Sequence, residues 1–222
     1  MFDIEHLVGM ESFSDPTNRK VMDSKRMDVV RISMEIDDKD PSSKNYCPVY
    51  CQEFTDGHRE YSAYLTGPVE DVNEYFDLID ILLASTENDI ITIYIDSPGG
   101  MIASGGLIAS AIDGSRATVK TVARGLCASA AALIHSAAKP GNATVEPFAM
   151  MLYHMSSHYD SGTSTAIRER AANQVNYVNE TLLSKALADG HITQDEFDRI
   201  QTGVDIMIDG REWNRRVNKE NE

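Results

Sequence analysis

Ile90-Ile91-Thr92-Ile93-Tyr94-Ile95, followed at once by Asp96-Ser97-Pro98-Gly99-Gly100, is the stretch on which the fold turns. The run is short, almost wholly apolar and rich in β-branched residues, as a buried parallel strand is. It ends in a sharp Pro-Gly-Gly loop, and a helix of small residues follows to about Ile112. The same cycle comes again. Ala117–Ala123 reads as a strand, Gly125 as a turn, and Ser129–Ala138 as an alanine-rich helix. Pro140-Gly141-Asn142 is a turn and Met150–His154 a further strand. Strands that alternate with helices imply right-handed β-α-β crossovers, so the fold class is α/β.

Outward from this core the signals are weaker. Upstream, Tyr61–Leu65 is a strand and Gly67-Pro68 a turn, and Val69–Ala84 has apolar residues at helical spacing. Residues 1–45 are polar and without period, and read as an arm with one short strand around Val29–Ile36. Downstream, Thr165–Ala188 is a long helix that Ser164 or Thr165 caps and Gly190 ends. Its apolar positions are Ile167, Ala171, Val175, Val178 and Leu182. A second helix, Thr193–Ile200, starts at a capping box formed by Thr193 and Glu196. The domain is expected to span 46–214, with a polar tail at 215–222.

The chain has 222 residues and a mass of 24.6 kDa, which suits one domain with an arm. Its 35 acidic residues against 20 basic ones give a net charge of −15. That argues against a nucleic-acid backbone or an anionic membrane as partner. The longest charge-free run, between Asp96 and Asp113, is broken by Pro98 and four glycines, so no transmembrane helix is expected. Asp3 and Glu5 stand where a signal peptide would be basic, and the expected location is the cytoplasm. The three cysteines, Cys47, Cys51 and Cys127, fit a reducing compartment. Without a second close pair of ligands they do not suggest zinc.

Two loops at strand–helix junctions can carry chemistry, because sites in open α/β sheets gather at the carboxyl ends of strands. One is Ser97–Gly100, whose paired glycines let the backbone approach a ligand and point an N–H outward. The other is Gly125-Leu126-Cys127-Ala128-Ser129-Ala130-Ala131, a serine among small residues where a helix begins. Taken alone, Ser129 reads as the N-cap of a tightly packed alanine-rich helix. A nucleophilic serine needs a base. His135 lies on the same helix and faces away by more than a right angle. His154, at the end of the next strand, stands where a Ser–His pair requires a histidine.

In order and spacing, Ser97–Gly100, Gly125–Ala131 and His154 resemble the Clp protease proteolytic subunit family. Leu65-Thr66-Gly67-Pro68-Val69-Glu70-Asp71 is similar to a further segment of that family, and Gly162 and Gly190 fall where it often has glycines. The resemblance covers about Tyr61 to Gly190 and, more loosely, continues to Glu212. It implies a ClpP/crotonase-like superhelix of repeated β-β-α units with a protruding handle helix. It also implies a serine endopeptidase that cleaves unfolded polypeptides within two heptameric rings. In it Ser129 attacks, His154 acts as general base and acid, and the backbone N–H groups of Gly100 and Ala130 form the oxyanion hole. Thr165–Ala188 corresponds to the handle, and Met155–Thr163 to the strand along which substrate adds. The chain itself has no nucleotide-binding P-loop and is expected to need no cofactor. ATP would enter only through a partner, a hexameric AAA+ unfoldase.

The chain departs from the family pattern in four places. Asp96 stands where the family usually has Asn. His154-Met155-Ser156-Ser157 replaces His-Gln-Pro and a glycine pair. The N-terminal arm is long. Gln201 falls on the position of the catalytic Asp, and an amide cannot offset the charge on an imidazolium. Asp205 is the preferred third member of the triad and Asp198 its alternative. Three other readings remain at this stage: a non-catalytic ring subunit of the same fold, a crotonase-type acyl-CoA enzyme, and a Ser–Lys peptidase.

Overall fold

The computed structural model describes residues 29–35, 47–155 and 165–217. Its centre is one mixed eight-stranded sheet. The strands are β1 (Val29–Glu35), β2 (Val49–Phe54), β3 (Arg59–Thr66), β4 (Ile90–Ser97), β5 (Thr118–Ala128), β6 (Ala143–Val145), β7 (Met150–Tyr153) and β8 (Ile206–Asp209). Along the sheet they run β1-β2-β3-β4-β5-β7-β8, with β6 paired to β5 beside this path. β3, β4, β5, β6 and β7 are joined by parallel pairings, and antiparallel pairs close both ends. The helices are α1 (Phe76–Ala84), α2 (Ile102–Gly114), α3 (Ala130–Ser136), α4 (Thr165–Ala188), α5 (Gln194–Gln201) and α6 (Gly210–Val217).

Alternation along β4 decides where the core lies. Ile91, Ile93 and Ile95 are fully buried and share one cluster with Leu78 and Leu82 of α1 and with Ile108 and Ile112 of α2. At roughly 25 cal/mol per Å² of apolar surface, each such side chain contributes about 2 kcal/mol when buried. The opposite face is not covered by helices to the same depth. There Tyr50, Tyr64 and Tyr94 form a cross-strand ladder, with ring centroids 5.7 and 5.0 Å apart, and the Arg124 guanidinium lies 4.0 Å from the Tyr94 ring. β4 is therefore buried on one face, and its Thr92 and Tyr94 are half-buried.

β5 serves two neighbours in turn. Thr121 to Ala123 pair with β6, and Leu126 to Ala128 pair with β7. Between these stretches the register against β4 slips. Ile95 faces Ala123, and the next partners are Ser97 and Cys127. One residue of β4, Asp96, thus stands against three of β5, a bulge that bends the strand just ahead of Ser129.

Several elements differ from the sequence reading. The stretch before α1 is not helical from Val69. Val69 bridges Gly100, and a short 3-10 turn occupies Val72–Tyr75. The alanine-rich helix is shorter, Ala130–Ser136: Ser129 has a backbone that no helix admits, and Ala137 and Ala138 form the turn after it. β2, β6 and β8 were not foreseen. The expected tail begins inside α6, which runs to Val217 and buries Trp213. α4 has the expected bounds, and Leu183 and Ala186 of its last turns are buried. Ile167, Ala171, Val175 and Val178 lie outside the described side chains. Of the expected substrate strand, Met155 lies in a loop and its sulfur accepts from Asn179 Nδ2 at 3.2 Å; 156–163 fall outside the described residues.

Candidate active site

Ser129 sits at the turn from β5 into α3 with φ +56° and ψ −126°. Among the described residues it is the one non-glycine with positive φ. Such a conformation costs about 1–3 kcal/mol and persists only where its surroundings over-determine it. Here they do. The Ser129 N–H donates to Leu152 O of β7 at 3.0 Å, and its carbonyl accepts from Leu133 at 3.1 Å. The hydroxyl makes no capping bond to α3, so the N-cap reading of this serine does not hold and Oγ is left for other work.

The glycine loop lies directly against this turn. A methyl group on Gly99 would fall 2.4 Å from Ala128 O, 2.6 Å from Ser129 Cβ and 2.9 Å from Ala130 N. Gly99 has φ +85°, so both its conformation and its contact exclude a side chain. Its own N–H is taken by Ser97 Oγ at 3.1 Å. The next residue is oriented by the strand-like bridge. Val69 N donates to Gly99 O at 2.9 Å, and Met101 N donates to Val69 O at 2.8 Å. In a parallel bridge of this kind the central residue, Gly100, turns its own N–H away from Val69. The first intrahelical bond of α3 is that from Leu133, so the N–H of Ala130 is without an acceptor in the helix.

β7 delivers the histidine. Ala128 pairs with Leu152 in parallel register, and continuing that register places His154 opposite Ala130, one step beyond Ser129. His154 Nδ1 lies 3.7 Å from Asp205 Oδ1. His154 Nε2 is sealed from solvent and has no hydrogen-bond partner among the described residues. A proton on Nδ1, the nitrogen that faces Asp205, would leave the Nε2 lone pair open. Asp205 is 62% exposed, in the loop that leads into β8.

The other candidates separate from this group. Asp198 Oδ1 accepts from Gln194 Nε2 at 2.8 Å, on the outer face of α5. Gln201 is exposed at the end of the same helix. His135 is fully buried, with Nε2 2.8 Å from Thr144 O, and burial pushes its pKa down to about 4. Cys127 is fully buried, and burial pushes its thiol far up, which removes it as a rival nucleophile. Cys47 is likewise buried, its pKa raised to about 12. Lys185 is held by Asp189 at 2.6 Å, which leaves it no role as the base of a Ser–Lys pair.

A model of the Clp protease family matches residues 58–212. The chain belongs to the Clp protease family. It is also 31% identical over 120 residues to the ATP-dependent Clp protease proteolytic subunit of Carsonella ruddii (strain PV). That alignment covers 53% of this chain and 61% of the relative, so the chain spans about three fifths of the curated protein it matches. The family match includes Gly100, Ser129, His154 and Asp205, and it stops inside α6. No helix among the described residues is long and apolar enough to cross a membrane.

Asp96 stood out in the sequence as a departure from the family pattern but was given no role there. Asp96 Oδ1 accepts the Leu126 N–H at 2.9 Å across the bulge of β5. Its signal was the carboxylate where the family usually has an amide.

Proposed function

We propose that the chain is a serine endopeptidase that cleaves unfolded polypeptides. The observation that carries this is the strained turn at Ser129, packed against Gly99 and one register step from His154, whose Nε2 has no hydrogen-bond partner among the described residues. Ser129 Oγ attacks the carbonyl carbon of the scissile peptide while His154 Nε2 takes its proton. The new alkoxide is held by the N–H groups of Gly100 and Ala130, each worth about 3–4 kcal/mol in the transition state. His154 then protonates the leaving amine, which departs and leaves an acyl ester on Ser129. Water, deprotonated by His154, hydrolyses that ester. Asp205 offsets the positive charge on the imidazole. The gap of 3.7 Å shortens when substrate completes the site, as catalytic contacts commonly do.

Within this reading the substrate is an extended backbone, the chain works in the cytoplasm as two stacked heptameric rings, and it needs no cofactor of its own. An AAA+ unfoldase, which alone uses ATP, supplies the unfolded substrate. A fluorophosphonate probe tests the chemistry. We expect one adduct per chain, mapped to Ser129 by peptide mass spectrometry. A protein that stays unlabelled at saturating probe would instead be a non-catalytic ring subunit.

A further inference from the structure

We propose that Asp96 is a positioning residue for Ser129, acting as a clamp on the bulge that aims the end of β5. This rests on the reading of Ser129 as the nucleophile. Between its β4 partners Ala123 and Cys127, β5 has three residues, Arg124, Gly125 and Leu126, against the single residue Asp96. A bulge of that size takes backbone groups out of the ladder. Asp96 answers for one of them. Its Oδ1 receives the Leu126 N–H at 2.9 Å, while its own carbonyl accepts Gly67 N–H at 3.1 Å. Asp96 thus ties β5 to the end of β4 by its side chain and the β3 turn by its backbone.

The clamp is built into the chain on both sides. A methyl group on Gly125 would stand 2.5 Å from Asp96 Oδ1 and 2.8 Å from its Cγ, so only a glycine lets the carboxylate reach Leu126. Leu126 is also the first residue that pairs with β7, opposite Met150. From there the chain reaches Ser129 in three residues, all held against the strand that carries His154. Fixing Leu126 therefore sets the height of Ser129 relative to His154. Asp96 acts through the backbone and does not touch the reacting atoms. The bond needs an acceptor oxygen rather than a charge, and an asparagine supplies one in the same place.

The test compares Asp96→Ala, Asp96→Asn and Gly125→Ala with the parent chain. It reads kcat and KM on a small peptide, the rate of fluorophosphonate labelling, and amide exchange at Leu126. Asp96→Ala is expected to lower kcat and labelling about 10-fold or more, with KM within about 3-fold, since small misplacements of a nucleophile act on the chemical step. Asp96→Asn should keep at least about a third of the parental rate. Gly125→Ala displaces the carboxylate without removing it and should match Asp96→Ala, which it replaces if that variant does not fold. Leu126 should exchange faster in the two damaged variants and at the parental rate in Asp96→Asn. Parental kcat in Asp96→Ala or Gly125→Ala, or an equal loss in Asp96→Asn, would overturn the proposal. If the parent neither labels nor cleaves, the proposed function fails, and the Leu126 exchange still decides for or against the clamp.

Discussion

Ser129, Gly99 and Asp205 illustrate three degrees of constraint at the scale of single residues. Ser129 is held in a costly backbone conformation by its neighbours on β7 and α3. Gly99 fits only because it has no side chain; the atoms an added methyl would meet are mostly backbone and cannot yield. Gly99→Ala should therefore lower fluorophosphonate labelling of Ser129 by about 100-fold, since an ångström of misplacement costs that much. Asp205 is loosely held, exposed and 3.7 Å from His154. In the serine-protease template the change from acid to amide costs about 10⁴ in turnover. Asp205→Asn should lower kcat by at least about 100-fold, the smaller figure reflecting that looser contact. Asp198→Asn, which alters only a contact within α5, should stay within about 2-fold. The reverse ranking in steady-state kinetics would transfer the role to Asp198.

The framing elements behind the site meet in a buried polar knot. Ser136, at the end of α3, lies 3.1 Å from Tyr153 OH of β7 and 3.2 Å from His191 Nδ1, which follows α4. Trp213 of α6 packs on the rings of His135 and His191, with centroids 5.3 and 4.8 Å away. The knot joins α3, which Ser129 precedes, to β7, which His154 follows. Burial pushes the pKa of His135 down to about 4 and that of His191 to about 3, the latter also through His135 itself. Both pKa values lie below the unfolded value of about 6.5. The stability from keeping these rings neutral is thus complete above pH 6.5 and is lost as pH falls towards 3. For His135 alone this amounts to roughly 3 kcal/mol. Urea midpoints should fall between pH 7 and pH 4.5, and His135→Gln should flatten that fall. A smaller element test lies at α5. Thr193 and Glu196 form the expected reciprocal cap, so Thr193→Ala should cost about 1 kcal/mol in the same assay.

At the scale of the whole molecule, what the sequence made legible follows from how strongly each part is patterned. β4 was visible because Ile90 to Ile95 form an almost wholly apolar run, α4 because its apolar residues recur every three to four positions, and α5 because its start carries a capping box. β2 was hidden because Gln52 and Glu53 interrupt its apolar pattern in a strand that is mostly half-buried, one place in from the edge of the sheet. β8 has four residues, too few for a period, and α6 buries a single large residue, Trp213, in an otherwise polar stretch. The site divides the same way. Ser129 and His154 stand at strand ends among small or apolar neighbours. Asp205 comes to His154 through a loop, and Asp96 acts across a bulge, and neither geometry leaves a repeat in the sequence.

Assembly belongs to this scale too. The last turns of α4 are anchored on the core by Leu183 and Ala186, while Tyr177, further up the helix, is 71% exposed. We expect that helix to pack against its copy in a second ring and give a barrel of about 14 chains, a number taken from the family resemblance. Multi-angle light scattering checks this, and a stable monomer at micromolar concentration would contradict it. The central claim is that Ser129 is the nucleophile of a peptidase. Hydrolysis of an unfolded polypeptide by the parent and by Ser129→Ala, each at the same assembly state, tests it most directly. The account predicts cleavage by the parent and none above background by an equally assembled Ser129→Ala, whereas parental rates in that variant would contradict it.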